Sequence, residues 1–545
     1  MKRFPPQNRM EKFLIIIFCI LLFLIAGGLL LLSHYFNVDE ELRNKKKEGI
    51  EESSKSEQDS KEASLDDITS MLPEFCNLNE KIPDITVTDE SGQTESIRSF
   101  EGKPTIITFW ASWCPDCQEE LSRFNSFRDI MKNYGDINYI LINRLDGNKE
   151  TSEKAKHSLI NNNINIGTYY DYGLSAYKEL GLHSIPTTLF LDEKGIIRAW
   201  SIKPITKDSV FEGYLRCMTE GSGKVTGDFV TSCLMDSDGG VHAKYNPRGA
   251  GKQTSEVLSE TQGIVMEYAV LCNDQQLFNR TLSYISEKMW TNGLIAWKVK
   301  DHKPSGVNAL LDDLRILNAL ISAHRQWGGY DKQINSFTES LAKYGKKGGQ
   351  YVDFYDSHLK QYATRFTLCY GDLQTMRKLS NQDDRFTKPY EFTEKLVLGG
   401  KISSEFPLYY SWYNYKTNSY STDNLNSAEA MLTLLHLAKV GLLPEDSLDW
   451  LEEQMRRGGV KARYNVEGEV VEGYNYDSTA VYALIAMIGK EAGDQQLQGM
   501  ALRSMEKMRI IDTSYPYYGA FGMEDGTGIN SFDQVLPMLA YEYTK

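Results

Sequence analysis

The sequence predicts a multidomain protein with an N-terminal transmembrane helix, an α/β domain and an all-α domain. Three observations lead to this prediction: a run of uncharged residues near the start, strand and helix patterns that surround a Cys-x-x-Cys pair, and a long C-terminal stretch dominated by helical periodicity. The chain has 545 residues. At roughly 100–200 residues per domain, it is long enough for several domains.

Composition argues against nucleic acid as a partner. The chain has 60 Lys and Arg residues against 74 Asp and Glu residues, which gives a formal net charge of −14. Such a surface repels the phosphate backbone, whose binding depends on basic residues. The eight histidines are scattered, and neither an HExxH motif nor a Gly-rich loop between a strand and a helix is present. We therefore expect no bound metal and no cofactor.

Residues 13–32 form the predicted membrane anchor. The run FLIIIFCILLFLIAGGLLLL contains no charge and is long enough to cross a hydrocarbon layer of about 30 Å as a helix. Four basic residues precede the run and four follow it closely, so the positive-inside rule does not orient it. Its length argues against a cleaved signal peptide, so we expect residues 1–36 to hold a cytoplasmic tail and a retained single-pass anchor.

Residues 37–71 are predicted to be a disordered stalk. They combine dense charge of both signs with almost no apolar residues, a composition that does not support a core.

Residues 72–220 form the predicted α/β domain, which is built around a cysteine pair. An apolar run that ends at Trp110 is typical of a buried strand, and Cys114-Pro115-Asp116-Cys117 comes next, followed by apolar residues at helical spacing. The pair therefore lies on a strand-to-helix turn, where Cys114 can attack a disulfide and Cys117, one turn later, can resolve the product. A zinc site is disfavoured because no second Cys or His pair stands at ligand spacing.

The segments TFWASWCPDC and GLHSIPTTLFLDEKG closely resemble the thioredoxin fold of membrane-anchored TlpA-like thiol-disulfide oxidoreductases. The resemblance covers nearly the whole α/β domain. It implies that Cys114 is the attacking thiol and Cys117 the resolving thiol, that Trp113 and Pro186 bind the substrate, and that the Ile185–Pro186 bond is cis. Protein thiols or disulfides would be the partners.

Residues 225–545 form the predicted all-α domain, which the helical periodicity divides into several segments. The clearest are 263–272, 275–289, 308–324, 332–344, 356–369, 428–440, 447–457, 479–492 and 495–508. A helix bundle, a solenoid and a closed toroid all fit this pattern, and periodicity does not choose between them.

The segment SEVLSETQGIVMEYAVLCNDQQLFNRTLSYISEKMWTNGLIAWKV resembles the opening of glycoside hydrolase family 8 and of its distant amylolytic relative, family 126. The closing segment YYGAFGMEDGTGINSFDQVLPMLAY fits a final inner helix of the same kind. The resemblance implies an (α/α)6 toroid whose inner helices present carboxylates to a polysaccharide. It also implies an inverting mechanism, in which an acid and a base stand about 6.5–9.5 Å apart.

Glu260 falls on the position of the family's general acid. The local pattern leaves a second interpretation open, since Ser259-x-x-Gln262 is a capping box and a helix start favours an acidic residue in its first turn. Glu260 is therefore either a catalyst or part of a helix cap.

The second carboxylate is expected in the segment GVNALLDDLRILNAL, where the sequence departs from family 8. Ala309 and Leu311 replace two aspartates of the family, which leaves Asp312 and Asp313. Asp313 lies on an apolar helical stripe and is predicted to be catalytic, with a buried pair to Arg315 as the alternative. Asp312 is predicted to point away from this stripe and is kept as a substrate-binding candidate.

Three further residues are candidates for sugar binding. Asp477 precedes a predicted helix, where it acts either as a cap or as a base or sugar ligand. Trp297 and Trp412 offer flat faces for sugar stacking, although aromatic residues at helical spacing are more often in the core.

Together these patterns predict a bifunctional protein at the cell membrane. Both domains after the stalk are expected to lie outside the cytoplasm, one as a thiol-disulfide oxidoreductase and the other as a glycoside hydrolase. The alternative is an oxidoreductase whose toroid only binds carbohydrate or a protein client.

Overall fold

The computed structural model describes residues 78–246 and 256–545. The predicted membrane anchor and the predicted stalk lie outside the described residues. Across the described ranges, no helix is both long enough and apolar enough to span a bilayer.

The α/β domain has one mixed sheet of seven strands in the order β2-β1-β5-β4-β3-β6-β7. Its strands are β1 Thr86–Thr88, β2 Thr94–Ser96, β3 Thr105–Trp110, β4 Asn138–Asn143, β5 Thr168–Tyr170, β6 Thr187–Leu191 and β7 Ile197–Ser201. Its helices are α1 Pro115–Ser122, α2 Phe124–Met131, α3 Ser152–Asn161, α4 Ser175–Glu179 and α5 Asp208–Glu220. This arrangement is thioredoxin-like, as the resemblance implied.

Strand β3 carries the cysteine pair at its end. All six of its residues are buried, which explains why its sequence, TIITFW, does not alternate between apolar and charged residues. It pairs in parallel with β4 and antiparallel with β6. The central position of β3 therefore fixes the turn that leads into α1.

The second domain is a closed ring of helix pairs. Its helices are α6 Ser222–Phe229, α7 Ser259–Leu271, α8 Gln275–Tyr284, α9 Leu310–Trp327, α10 Asp331–Tyr344, α11 Leu373–Ser380, α12 Thr387–Leu398, α13 Ser427–Ala438, α14 Glu445–Arg456, α15 Thr479–Ala492, α16 Gln495–Glu506 and α17 Phe532–Tyr543. The inner helices contact each other in the order α7, α9, α11, α13, α15 and α17, and α17 closes the ring on α7. The helices between them in sequence form the outer layer, and α6 packs on α17 as its outer partner. The (α/α)6 prediction is therefore confirmed.

The inner helices all run in the same direction. Each of the first five is followed by its outer neighbour after a short turn, such as residues 272–274 and 328–330, which reverses the chain. Longer connections with short strands lead from each outer helix to the next inner one. The N-termini of the inner helices consequently gather at one end of the toroid.

The helix predicted over residues 356–369 is wrong. This segment instead contains the short strands Gln361–Tyr362 and Arg365–Thr367, and the second of them pairs with Trp412–Asn414. Leu359 is 66% exposed whereas Phe366 is fully buried, so its apolar side chains do not share one helix face.

Two further differences concern helices that the periodicity did not indicate. Helices α11 and α12 were not predicted, and α6 begins at Ser222, a few residues before the expected start of the all-α domain.

The two domains are in direct contact. Helix α5 of the α/β domain packs against the loop between α16 and α17 of the toroid. The Thr513 backbone N–H donates a hydrogen bond of 3.1 Å to the Ser209 carbonyl oxygen. Lys207 and Asp512 form an ion pair of 3.2 Å between Nζ and Oδ2.

Candidate active sites

The cysteine pair lies at the start of α1, as predicted. Cys114 is the N-cap residue, and its sulfur accepts a hydrogen bond of 3.2 Å from the Cys117 backbone N–H. The same sulfur lies 3.5 Å from the carbonyl oxygen of Ile185, whose bond to Pro186 is cis. The prediction of this cis bond is confirmed, and the fold brings Cys114, Cys117 and Pro186 together.

The two cysteines and the neighbouring Trp113 differ in how far their side chains are exposed to solvent. Both cysteines are free thiols, with Cys114 at 5% exposure and Cys117 at 1%. Burial raises the pKa of the Cys117 thiol above its usual range. Trp113, at 40% exposure, is open to solvent next to Cys114, and Lys149 lies over its ring. A docking substrate would therefore meet Trp113 and Cys114 before Cys117.

Glu120 is a buried carboxylate that sequence analysis missed. It accepts hydrogen bonds from the Thr188 hydroxyl at 2.7 Å and the Ile205 backbone N–H at 2.9 Å. Burial raises the pKa of Glu120 to about 7, and its charge contributes to the raised pKa of Cys117. The sequence signal was available, since a glutamate one helical turn after Cys117 occupies the buried face of α1.

In the toroid, Glu260 lies in the first turn of α7, at the end where the inner helices begin. Burial and then the charge of Asp312 raise the pKa of Glu260 to about 7, while Arg315 opposes the shift. A carboxyl group with this pKa still holds its proton in about half of the molecules at pH 7, and a general acid requires a pKa near the working pH.

The capping interpretation of this segment is wrong. The N-cap residue of α7 is Leu258, and no side chain caps the helix. The Ser259 hydroxyl donates to the Asp312 carboxylate, and the Gln262 side chain bonds Val241 and Gly239 in the neighbouring loop. Neither end of the predicted capping box therefore serves the helix start.

The two aspartates of α9 do not lie where the sequence suggested, which was Asp313 in the site and Asp312 pointing away from it. Asp312 lies beside Glu260, since it accepts hydrogen bonds from the Ser259 hydroxyl and the Glu260 backbone N–H. Burial raises the pKa of Asp312 to about 6. Asp313 is buried and accepts a hydrogen bond of 2.7 Å from the Asn308 amide. The expectation that Asp312 points elsewhere is therefore corrected, and Arg315 is not the partner of Asp313.

Asp477 lies at the rim of the same end of the toroid. Its Oδ1 forms an ion pair of 2.9 Å with Lys461 Nζ, and the neighbouring Ser478 is the helix cap of α15. A cavity of about 500 Å³ adjoins it, between the N-termini of α13, α15 and α17. This volume suits a saccharide, because ligand pockets in proteins span about 300–1,000 Å³.

The two candidate tryptophans occupy the loops at this end. Trp297 is exposed directly before the short strand Lys298–Lys300, and its carbonyl oxygen accepts a hydrogen bond of 2.9 Å from the Ser259 backbone N–H. Trp412 is half-buried, with its indole N–H donating to Asp423 at 2.8 Å and Arg365 over its ring. A cation therefore lies over the ring of each tryptophan, since Lys298 Nζ is 4.5 Å from the centre of the Trp297 ring and the Arg365 guanidinium group lies over Trp412.

Sequence analysis also missed Glu429, in the first turn of α13. An acidic residue in the first turn of an inner helix is the shared signal, since Glu260, Asp312 and Asp533 occupy the same place in α7, α9 and α17. This pattern appears only once the inner helices are known to begin at one end.

The folds and sites define a protein with a thioredoxin-like dithiol domain and an (α/α)6 domain with a carboxylate-lined groove. Residues 78–200 match the model of the AhpC/TSA family, and residues 232–354 match the model of glycosyl hydrolases family 8. The chain therefore fuses a thioredoxin-like AhpC/TSA domain with a glycosyl hydrolase family 8 domain. Homologues of the two domains support two enzyme activities, thiol-disulfide exchange and glycoside hydrolysis.

Individual relatives match different shares of the chain. YdaJ of Bacillus subtilis (strain 168), named as a candidate lipoprotein, is 26% identical over 318 residues, 57% of this chain and 84% of that protein. Sporulation thiol-disulfide oxidoreductase A of Bacillus subtilis (strain 168) is 32% identical over 113 residues, 21% of this chain and 67% of that protein. A structure described as a novel alpha-amylase from Clostridium perfringens is 29% identical with a TM-score of 0.56, and the match covers 59% of this chain and 98% of that one.

Proposed function

We propose that this chain exchanges thiols and disulfides of extracytoplasmic proteins and hydrolyses a polysaccharide by inversion, while residues 13–32 anchor it in the cell membrane. The name of YdaJ as a candidate lipoprotein supports a location at the membrane. The observation that carries the hydrolase function is the Glu260 carboxyl group. It lies in the first turn of α7, at the end where the parallel inner helices begin, and its pKa is raised to about 7.

In the thiol reaction, the Cys114 sulfur attacks one sulfur of a substrate disulfide. A Cys114–substrate disulfide forms and the other substrate sulfur leaves as a thiol. Cys117 then attacks Cys114, which releases the second substrate thiol and leaves the Cys114–Cys117 disulfide, so two electrons pass to the substrate. Glu120 is the proposed acceptor of the Cys117 proton, because a buried thiol with a raised pKa needs a nearby base.

Replacement of the attacking sulfur tests this reaction directly. We expect Cys114→Ser to abolish insulin disulfide reduction by the full chain, because serine does not form the mixed disulfide. Cys272→Ser, which removes a cysteine of the toroid, is the matched control and should keep the wild-type rate. An active Cys114→Ser variant would refute the assigned role.

In the hydrolase reaction, Glu260 protonates the glycosidic oxygen as the bond to the anomeric carbon breaks, and water attacks the opposite face of the sugar. The alpha-amylase name of the Clostridium perfringens relative makes α-glucans the first substrates to test. The full chain should release reducing ends from at least one member of a panel of starch, β-glucan, xylan and bacterial exopolysaccharide. Asp477, Trp297 and Trp412 are the proposed sugar contacts, whereas Asp313 is proposed to be a buried support held by Asn308.

The pH profile of this hydrolysis reports the state of Glu260. We expect kcat/KM to fall about tenfold per pH unit above about pH 7, because Glu260 must hold a proton and its pKa lies near 7. Asp312→Asn should move this alkaline limb to lower pH, because it removes a negative charge that raises the pKa of Glu260. A profile that stays flat to pH 9, or an unmoved limb in Asp312→Asn, would contradict the assignment.

A carbohydrate-binding toroid without turnover is the second candidate. Ala309 and Leu311, in place of two family aspartates, favour it. Binding to a polysaccharide of the panel without any release of reducing ends would support this candidate over the hydrolase.

A further inference from the structure

Carboxylates lie at the end of the toroid where the inner helices begin. They differ in whether their oxygens form hydrogen bonds or ion pairs with other groups of the protein. Asp353 accepts two hydrogen bonds from Thr367, at 2.6 Å and 2.8 Å. Asp477 is paired with Lys461, and Asp533 accepts from the Thr479 hydroxyl at 3.3 Å. These three carboxylates serve to hold the loops and helix starts together.

The aspartates of α9 are buried. Asp312 is bound by Ser259 and by the Glu260 backbone, whereas Asp313 accepts from Asn308 through Oδ2 and its Oδ1 is buried without a hydrogen-bond partner. A general base needs a lone pair that is open to water, and these buried groups do not offer one to the groove.

Glu260 and Glu429 are different. Among the residues that the structure describes, neither carboxylate accepts a hydrogen bond or forms an ion pair. The Glu429 side chain is exposed, whereas its backbone is fixed by the Asn426 amide oxygen, which caps α13. Glu429 therefore combines a fixed position with free carboxylate oxygens.

The order of the ring places these two residues opposite each other. Helix α7 is separated from α13 by α9 and α11 on one side and by α17 and α15 on the other. Both glutamates lie in the first turn of their helix, so they stand at the same level of the toroid. They consequently face each other across its central opening.

The dimensions of such a ring fit an inverting pair. The axes of neighbouring packed helices lie about 8–10 Å apart. In a ring of six inner helices, the axes of two opposite helices therefore lie about 16–20 Å apart. Two glutamates that project inward from a backbone radius of about 2.3 Å narrow this gap to on the order of 10 Å or less. Inverting glycosidases hold their carboxyl groups about 6.5–9.5 Å apart, with the water between them.

The electrostatic surroundings also distinguish the two groups. Partial desolvation raises the pKa of Glu429, but Arg463 and Arg365 oppose this shift and favour the ionised form. Glu260 has the higher tendency to stay protonated, and the charge of Glu429 contributes to it. Two carboxyl groups whose surroundings differ in this way suit an acid and a base.

We propose that Glu429 is the general base of the hydrolase reaction. This inference rests on the proposed function and names its second catalytic residue. Glu429 takes a proton from the attacking water as the water oxygen bonds to the anomeric carbon. The glycosidic bond breaks at the same time, and its oxygen takes the proton of Glu260. One water is consumed, one bond is cleaved, and both carboxyl groups return to their starting state by exchanging protons with solvent.

The test compares two substrates, the polysaccharide that the full chain cleaves and a glycosyl fluoride of the same sugar. Glu429→Gln should lower kcat by about 10²–10⁴-fold on both substrates, because water needs the base whatever the leaving group. Glu260→Gln should lose activity on the polysaccharide but keep most of it on the fluoride, which leaves without a proton. Azide should restore cleavage by Glu429→Ala and give a glycosyl azide of inverted configuration.

Glu445→Gln, in the first turn of the outer helix α14, is the matched control and should match wild type. Circular dichroism should show all variants folded, since Glu429 and Glu445 are exposed. If Glu429→Gln stays within threefold of wild type while Glu260→Gln is inactive on the polysaccharide, the role of Glu429 is refuted and the hydrolase survives. If the unmodified chain cleaves nothing in the panel, both proposals fail.

Discussion

Glu260→Gln is expected to lower the kcat of polysaccharide hydrolysis by about 10²–10⁴-fold, the contribution of a positioned proton donor. Glutamine has the same shape but no acidic proton, so the leaving oxygen would depart as an alkoxide. The change should leave KM within a few-fold, because the carboxyl group acts on the breaking bond rather than on binding. Release of reducing ends over time measures both constants.

The chain supplies its own control for this variant. Insulin reduction by Cys114 and Cys117 occurs in the other domain, so it should keep the wild-type rate in Glu260→Gln. A loss of both activities would indicate misfolding, and an unchanged rate of polysaccharide hydrolysis would remove Glu260 from the mechanism.

The two sites differ in how far the sequence could predict them. Cys114 and Cys117 are one turn apart on a single helix that follows a buried strand, so local patterns determine their geometry. The site of the toroid is assembled from helices far apart in the chain. Periodicity records which face of a helix is apolar but not which helices are neighbours, so only resemblance indicated the closed ring.

The exchange of Asp312 and Asp313 shows the same limit at the level of one turn. The apolar stripe of α9 correctly identified Asp313 as buried, but burial does not distinguish it from Asp312, since both side chains are 6% exposed. Contact with Glu260 is made at the helix start, where Asp312 reaches the Ser259 hydroxyl and the Glu260 N–H. The position of Asp312 along the helix axis decides its contact with Glu260. Helical periodicity contains no information about that position.

Glu120 and Glu429 escaped prediction for different reasons. Glu120 required attention to a polar residue on a buried face, where a carboxylate is costly unless it is hydrogen-bonded. Glu429 required the knowledge that α7 and α13 are opposite, which follows only from the contacts of the complete ring.

The contact between the domains depends on a glycine. Gly213, on α5, approaches the toroid so closely that a Cβ atom there would lie 1.8 Å from the Ile511 carbonyl oxygen. This is far inside the usual contact distance of about 3.5–4.0 Å. The Gly213 carbonyl oxygen also accepts a hydrogen bond of 3.0 Å from the Tyr518 hydroxyl. The domains therefore dock backbone against backbone at this point.

Gly213→Ala is expected to destabilise the docked chain by about 3 kcal/mol, the upper end of the range for overpacking. Alanine favours helices over glycine by about 1 kcal/mol, so a loss of stability would come from the clash with Ile511 rather than from α5 itself. Calorimetry should show the first unfolding transition lowered by roughly 6–12 °C and separated from the second. Gly349→Ala, where the nearest atom to the added carbon is Lys388 Cβ at 3.9 Å, is the matched control and should be nearly neutral. An unfolding profile of Gly213→Ala that overlays that of the control would show that the close approach contributes nothing to docking.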